Sequence, residues 1–334
     1  MTDRPTDKPK LPKHLRRTRA QSAILSRKDF LKLSAAGLAA TALAGGRVGL
    51  PPAAASESAQ SMRTRQIPAS GESLPVVGLG TWQQFDVAED APEMEALTEV
   101  VQRLFDNGGS VIDSSPMYGA AEARVGEILT ELDAHDDSFL ATKVWTRGRQ
   151  DGIDQMKRSE ILLETSTIDL MQVHNLVDLD THMNTLRDWK AEGRIRYLGV
   201  THYTTGALDQ LADIIERDQP DFVQLAYSIG VRAAEERVLP LARDHGVAVL
   251  VNRPYEGGGV FRRVGERELP DWARDFCDSW GQFFLKYILA NPAVTCVIPG
   301  TSSPEHMDDN AGAGYGRLPD AAELDRMRSF WEDL

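Results

Sequence analysis

Eight short, nearly continuous apolar runs recur along this chain, separated by stretches with the apolar spacing of helices. The runs are 76–82, 110–114, 139–144, 170–174, 196–201, 222–227, 248–252 and 295–299. A strand that is apolar on both faces must be covered on both. Parallel strands with helices outside and packed core inside meet that demand. The helical patterns are 92–107, 121–132, 153–165, 182–192, 206–217, 233–245 and 275–290. Several stop where a helix needs glycine or asparagine, as at Asn107-Gly108-Gly109, Gly193 and Gly246. Eight strand–helix units in about 250 residues predict an α/β fold of the (β/α)8 TIM-barrel type. A doubly wound open sheet would want a glycine-rich turn after its first strand, and only Gly78-Leu79-Gly80 is there. Residues 62–75 read as a β-hairpin that could plug the barrel floor, and 318–334 as a final helix.

The barrel pattern starts late. Residues 1–55 hold 11 Lys and Arg against 3 Asp and Glu, whereas the rest of the chain holds 26 basic and 47 acidic residues. So acidic a body repels phosphates and anionic headgroups, which argues against nucleic acid or a membrane surface as its partner. Within the basic segment, Ser26-Arg27-Lys28-Asp29-Phe30-Leu31-Lys32 precedes an uncharged run over 33–46. That run is shorter than the roughly 20 residues needed to cross a bilayer. It leads to Pro51-Pro52-Ala53-Ala54-Ala55-Ser56, a small-residue stretch of the kind that leaders end on. The expectation is an export leader over 1–55 and a single domain over 56–334. Residues 26–32 resemble the twin-arginine export motif, with Lys28 in place of its second arginine. That resemblance implies export machinery as a partner and a periplasmic or other extracytoplasmic destination, or a cytoplasmic one if the Arg27-Lys28 pair works inefficiently. Cys277 and Cys296 read as two small buried hydrophobes rather than a disulfide.

In a barrel of this type, functional groups stand at the C-terminal ends of the strands. The second run ends at Asp113, with Tyr118 shortly after it; the third ends near Lys143 and the fourth at His174. Three consecutive strands thus bring an acid, a phenol, an amine and an imidazole to one rim. Lys143 is one of only four lysines outside the leader, and lysine, unlike arginine, shifts its pKa readily when desolvated. The four groups suit proton transfer to a carbonyl oxygen. A free phenol has a pKa of about 10; an adjacent ammonium draws it toward phenolate, and a buried carboxylate anchors the ammonium. Tyr118 is then the general acid, Lys143 its tuner, Asp113 the anchor, and His174 the group that orients the carbonyl. None of them can deliver a hydride, so a reduction calls for a nicotinamide cofactor. Trp82, Met117, Trp145 and Tyr203 follow rim strands and are predicted to wall an apolar substrate pocket. His135, His182 and His245 fall in helices or loops without ligand spacing, and no metal is expected.

Several segments together resemble the aldo/keto reductases over residues 63–328. They are Gly78-Leu79-Gly80-Thr81-Trp82, Asp113 to Gly119 with Glu122 and Gly126, Thr142-Lys143, Gln172-Val173-His174, and the stretch 192–200. The resemblance implies the barrel, NAD(P)H-dependent reduction of an aldehyde or ketone to an alcohol, and a tetrad of Asp113, Tyr118, Lys143 and His174. It also implies that Thr201, His202 and Gln224 meet the nicotinamide carboxamide, with Thr201-His202 where the family has Ser-Asn. Asn252, Pro254 and Tyr255 lie where relatives often stack an aromatic ring on the nicotinamide. Gly258, within Gly257-Gly258-Gly259, offers backbone N–H groups to the pyrophosphate. Gly300, Thr301, Ser302, His306 and Asn310 surround a helix N-terminus suited to an anion. Gly300 and His306 stand where many relatives have Lys and Arg against the 2′-phosphate. The family implies NADP(H), with NAD(H) as the alternative. Three readings remain: a working reductase of a small carbonyl compound, a nucleotide-binding redox sensor or accessory protein with little turnover, or a different barrel enzyme such as a metal-dependent lyase, for which no His and carboxylate cluster has ligand spacing. The complete tetrad favours the first.

Overall fold

The computed structural model describes residues 61–334. The expected leader, its export motif and the boundary at 56 lie outside those residues. Strands β1 (Thr64–Gln66) and β2 (Ser73–Pro75) pair antiparallel as the expected hairpin. Eight parallel strands follow in sequence order: β3 (Leu79–Gly80), β4 (Val111–Asp113), β5 (Phe139–Val144), β6 (Ile168–His174), β7 (Ile195–His202), β8 (Phe222–Ala226), β9 (Ala248–Asn252) and β10 (Cys296–Val297). Parallel bridges Val77↔Val297 and Gly80↔Gly300 bring the two edges together, so the sheet curls into the expected (β/α)8 barrel.

The helices alternate with the strands: α1 (Met94–Asp106), α2 (Ala121–Leu132), α3 (Arg149–Leu162), α4 (Leu179–Ala191), α5 (Leu208–Asp218), α6 (Val238–Asp244), α7 (Gly259–Val264), α8 (Trp280–Leu289), α9 (Pro304–Gly312) and α10 (Ala321–Glu332). Each main helix buries a stripe against the barrel. In α1 the stripe is Leu97, Val100, Val101 and Leu104, the spacing of one helical face. Cys277 and Cys296 are buried free thiols, as the sequence suggests.

Four helical patterns read differently in the structure, one of them simply by starting earlier, at Leu179 rather than 182. Helix α3 begins at Arg149 rather than near 153, right after Gly148, whose φ of +87° suits only glycine. The pattern at 275–290 starts as a helix only at Trp280, where the Ser279 hydroxyl accepts the Gln282 amide. The pattern at 233–245 divides into a 3-10 turn, Ala233–Glu235, and α6, which has Pro240 in its first turn.

The barrel interior sorts by height. Side chains alternate across a strand, so every second residue points inward. At the floor, Phe139, Tyr197, Phe222 and Ala248 form one apolar cluster with Ile67 and Leu74 of the hairpin. The Phe222 ring lies 5.5 Å from that of Tyr197 and 6.0 Å from that of Phe139. Further up the same faces stand Lys143, Gln172, His174, Thr201, Gln224 and Asn252. The hairpin is tied down by polar groups at its edge. Arg196 bridges Glu72 and Asp169, the Tyr197 hydroxyl donates to Glu72 at 2.6 Å, and Arg65 donates to the carbonyls of Leu289, Asn291 and Val294. Truncating the buried plug residue, Leu74→Ala, leaves a cavity under the barrel. We expect it to lower the unfolding free energy by about 2–5 kcal/mol in urea titrations of the full chain.

Candidate active site

The polar ends of the inward faces meet at the C-terminal mouth of the barrel, around a cavity of about 960 Å³. That is the upper end of the roughly 300–1,000 Å³ usual for small-molecule sites. At its base the Lys143 ammonium, wholly buried, donates to Asp113 Oδ2 at 2.7 Å and to the Ser114 carbonyl at 2.6 Å. The other carboxylate oxygen, Asp113 Oδ1, accepts from Gln224 Nε2 at 2.8 Å and from Gln172 Nε2 at 3.2 Å. Gln224 Oε1 in turn accepts from the Thr201 hydroxyl at 3.0 Å and from Asn252 Nδ2 at 3.2 Å. One hydrogen-bonded network therefore runs from β5 through β4 and β8 to β7 and β9. Room for it comes from Gly199, where a Cβ would sit 3.2 Å from Gln172 Cγ and 3.0 Å from the Phe222 carbonyl.

Above this base, Lys143 Nζ lies 4.9 Å from the centroid of the Tyr118 ring. The Tyr118 and His174 rings meet edge to face at 6.0 Å. Burial depresses the Lys143 ammonium, but Asp113 and Tyr118 outweigh it, and the group stands above the ordinary lysine value. Burial raises Tyr118 and outweighs the downward pull of Lys143, so the phenol stays protonated well past neutrality. The expected drift toward phenolate is thus present as a force but loses to desolvation. His174 is pushed down to about 3, first by burial and then by Lys143 and His202, so its imidazole is neutral. Its Nδ1 lies 3.0 Å from the Ser115 hydroxyl.

Of the residues singled out from the sequence, Trp82, Asp113, Met117, Tyr118, His174, Thr201, Tyr203, Gln224, Asn252, Pro254, Gly258, Gly300, Thr301, His306 and Asn310 all line this one cavity. Lys143 lies beneath it. Trp145 flanks it, half-exposed, with its ring 6.4 Å from that of His174. Ser302 is exposed and outside the lining, and His202 also stands off it, stacked on Tyr203 at 5.7 Å. Tyr255 reaches the cavity, but its hydroxyl is held by Asn310 Oδ1 at 2.5 Å and its ring leans on Phe261, 4.8 Å away. Gly257 and Gly258 belong to a tight turn, Glu256–Gly258, that runs into α7 instead of forming a plain loop. At the closing seam, a Cβ on Gly80 would lie 2.9 Å from the Ile298 carbonyl.

Gln172, Ser115, Asn175 and Arg253 also belong to the site and escape a reading that takes only the last residue of each strand. Gln172 is detectable in hindsight, because it shares the inward face of β6 with His174, two residues on. Asn175 Oδ1 and Asn252 Oδ1 are buried at the cavity and have no hydrogen-bond partner among the described residues.

The sequence pattern described as the aldo/keto reductase family matches residues 76–332. Methylglyoxal reductase YeaE of Escherichia coli is 28% identical over 259 residues, covering 75% of this chain and 89% of that protein. The NADH-specific methylglyoxal reductase of Escherichia coli is 24% identical over 322 residues, covering 78% and 96%. The crystal structure of an aldo/keto reductase from Klebsiella pneumoniae with NADP and acetate superposes with a TM-score of 0.68 at 24% identity, covering 78% of this chain and 93% of that one.

The neutral state of His174 carries a pH signature. Unfolded, the imidazole takes a proton near its ordinary value of about 6.5; folded, it does so only at about 3. Its contribution to stability is thus present above about pH 6.5 and is lost as pH falls toward 3. In denaturant titrations at a series of pH values, His174→Gln should lose less stability than the wild type across that window.

Proposed function

Because the chain belongs to the aldo/keto reductase family, we propose that it reduces an aldehyde or ketone to an alcohol with NAD(P)H. The observation that carries this reading is the convergence of Asp113, Tyr118, Lys143 and His174 at the base of one cavity with apolar walls. The hydride itself comes from a nicotinamide cofactor, since no side chain here can donate one. The lining suits such a group. The unpartnered acceptors Asn175 Oδ1 and Asn252 Oδ1 fit a carboxamide NH2, and Thr201 and Gln224 border the same place. The glycine turn at 257–258 leaves backbone exposed to a phosphate bridge. NADP(H) is the cofactor proposed, on the precedent of the Klebsiella pneumoniae enzyme crystallised with NADP. NAD(H) is the alternative, supported by the Escherichia coli relative named as NADH-specific.

Tyr118 acts as the acid. Its phenol is protonated in the resting site, so it can give its proton to the carbonyl oxygen as negative charge builds there. Lys143 stabilises the phenolate left behind, and Asp113 keeps that ammonium in place. In the tautomer whose Nδ1 accepts from the Ser115 hydroxyl, neutral His174 carries its proton on Nε2 and offers it to the substrate oxygen. Trp82, Met117, Trp145 and Tyr203, all partly exposed at the mouth, would receive the organic part of the substrate.

Replacing the acid, Tyr118→Phe, should lower kcat by about 100-fold or more while cofactor affinity stays unchanged. Assay with NADPH or NADH and a panel of aldehydes and ketones checks this. Tight nucleotide binding without turnover in the wild type would instead favour the sensor or accessory reading. We further infer that residues 1–55 direct export of a folded barrel; deleting them should shift the protein from the periplasmic to the cytoplasmic fraction.

A further inference from the structure

Tyr118 stands on a stretch of chain that is neither helix nor strand, residues 114–120 between β4 and α2. Local turns order part of it. The Tyr118 amide donates to the Ser115 carbonyl at 2.9 Å, and the Ala121 amide to the Tyr118 carbonyl at 3.2 Å. The chain then turns at Gly119, with φ +62°, and enters α2 through Ala120, which has no side chain able to cap the helix. An acid that must meet one substrate oxygen, at the right distance from Lys143 and His174, needs firmer support than this.

The support comes from another loop. Residues 81–86, between β3 and α1, grip the stretch at both ends. At the near end the Thr81 amide and hydroxyl each donate to the Asp113 carbonyl at 3.0 Å, and the hydroxyl also lies 3.0 Å from Ser114 Oγ. At the far end Asp86 Oδ1 accepts from the Ala120 amide at 2.9 Å, supplying the cap that Ala120 lacks. A Cβ on Gly119 would run into both carboxylate oxygens of Asp86, so the carboxylate is seated directly against the turn that follows the acid. Between the two grips the loop is itself held. The amides of Gln84 and Phe85 return to the Thr81 carbonyl at 3.2 and 3.1 Å, and the Phe85 ring is wholly buried.

We propose that Asp86 is a positioning residue for the acid: its carboxylate fixes the backbone at 119–120 and so sets where the Tyr118 phenol lies. The proposal rests on the reductase reading above. Asp86 is outside the cavity lining and acts only through that backbone. The same loop contributes Trp82, Gln83 and Gln84 to the cavity wall, so one braced segment both meets the substrate and holds the acid.

The test compares wild type, Asp86→Ala and Asp86→Asn as full chains, each also in a Tyr118→Phe background. Asp86 is exposed, so the variants should fold, and thermal unfolding checks that. Amide exchange without nucleotide, followed by mass spectrometry, should quicken over 115–121 in Asp86→Ala and stay as in wild type elsewhere. With NADPH or NADH and the aldehyde that wild type reduces fastest, Asp86→Ala should lower kcat about tenfold and leave the nucleotide KM unchanged. Asp86→Asn keeps an acceptor oxygen and should recover most of that loss. In the Tyr118→Phe background, Asp86→Ala should cost nothing further. Unchanged exchange over 115–121 overturns the proposal and leaves the reductase reading intact. So does an equal loss of rate with and without the phenol, which would place the effect elsewhere in the site. Asp86→Asn as damaging as Asp86→Ala also overturns it, because the loss would then follow the charge and not the acceptor. A wild type that turns over no aldehyde or ketone overturns the reductase reading itself, whatever the exchange shows.

Discussion

A lysine and an aspartate buried together at the centre of the barrel set the terms for everything around them. Removing two charges from water costs several kcal/mol per ion, and mutual attraction offsets that only when the remaining donors and acceptors are also met. Here Ser114, Gln172 and Gln224 meet them. Each of those partners then constrains another strand. Gln224 fixes the Thr201 hydroxyl and the Asn252 amide, while Gln172 requires a glycine at 199 for its side chain to fit. A buried ion pair is by itself weak evidence for stability. The value of this one is that the mouth of the barrel has one polar arrangement rather than several.

This arrangement works because the two ends of the barrel are built from different chemistry. The floor is aromatic and aliphatic, sealed by Ile67 and Leu74 from the hairpin. Polar groups begin only two to four residues further along the same inward faces. Water is thereby kept from beneath the ion pair, and desolvation becomes the leading influence on Tyr118, Lys143 and His174 alike. It holds the phenol protonated and the imidazole neutral, so that each can donate a hydrogen bond without bringing a charge of its own.

Much of this was legible in the sequence, for a physical reason. A strand buried on both faces announces itself as an apolar run, and a polar residue closing such a run has few places to be except the rim. Asp113, Lys143 and His174 are visible in that way. Other features depend on distances between elements that no local pattern encodes. The partnership of Ser115 with His174 crosses from one loop to another strand. The balance at Tyr118 turns on how deeply the ring is buried, so charge proximity alone suggested the opposite net shift. Arg253 sits in a turn whose left-handed backbone and neighbouring glycines have no periodicity. Helix starts were misplaced where a cap or a glycine, rather than the apolar stripe, decides them, as at Gly148 and Ser279.

The barrel closes by its thinnest stitching. Strands β3 and β10 are two residues each, and the edges meet through two isolated bridges, one of them beside the cavity, with Gly80 pressed near the Ile298 carbonyl. Strands β3 and β10 share only two register pairs with β4 and β9 as well, whereas from β4 to β9 the neighbouring strands share three to six. A hoop opens first along its weakest stretch, so local breathing concentrates around β3 and β10. Gly80, Ile298 and Gly300 border the cavity on both sides of the joint. A molecule lodged across it acts as a clasp: its binding energy adds to hoop closure, and occupancy and rigidity become one equilibrium.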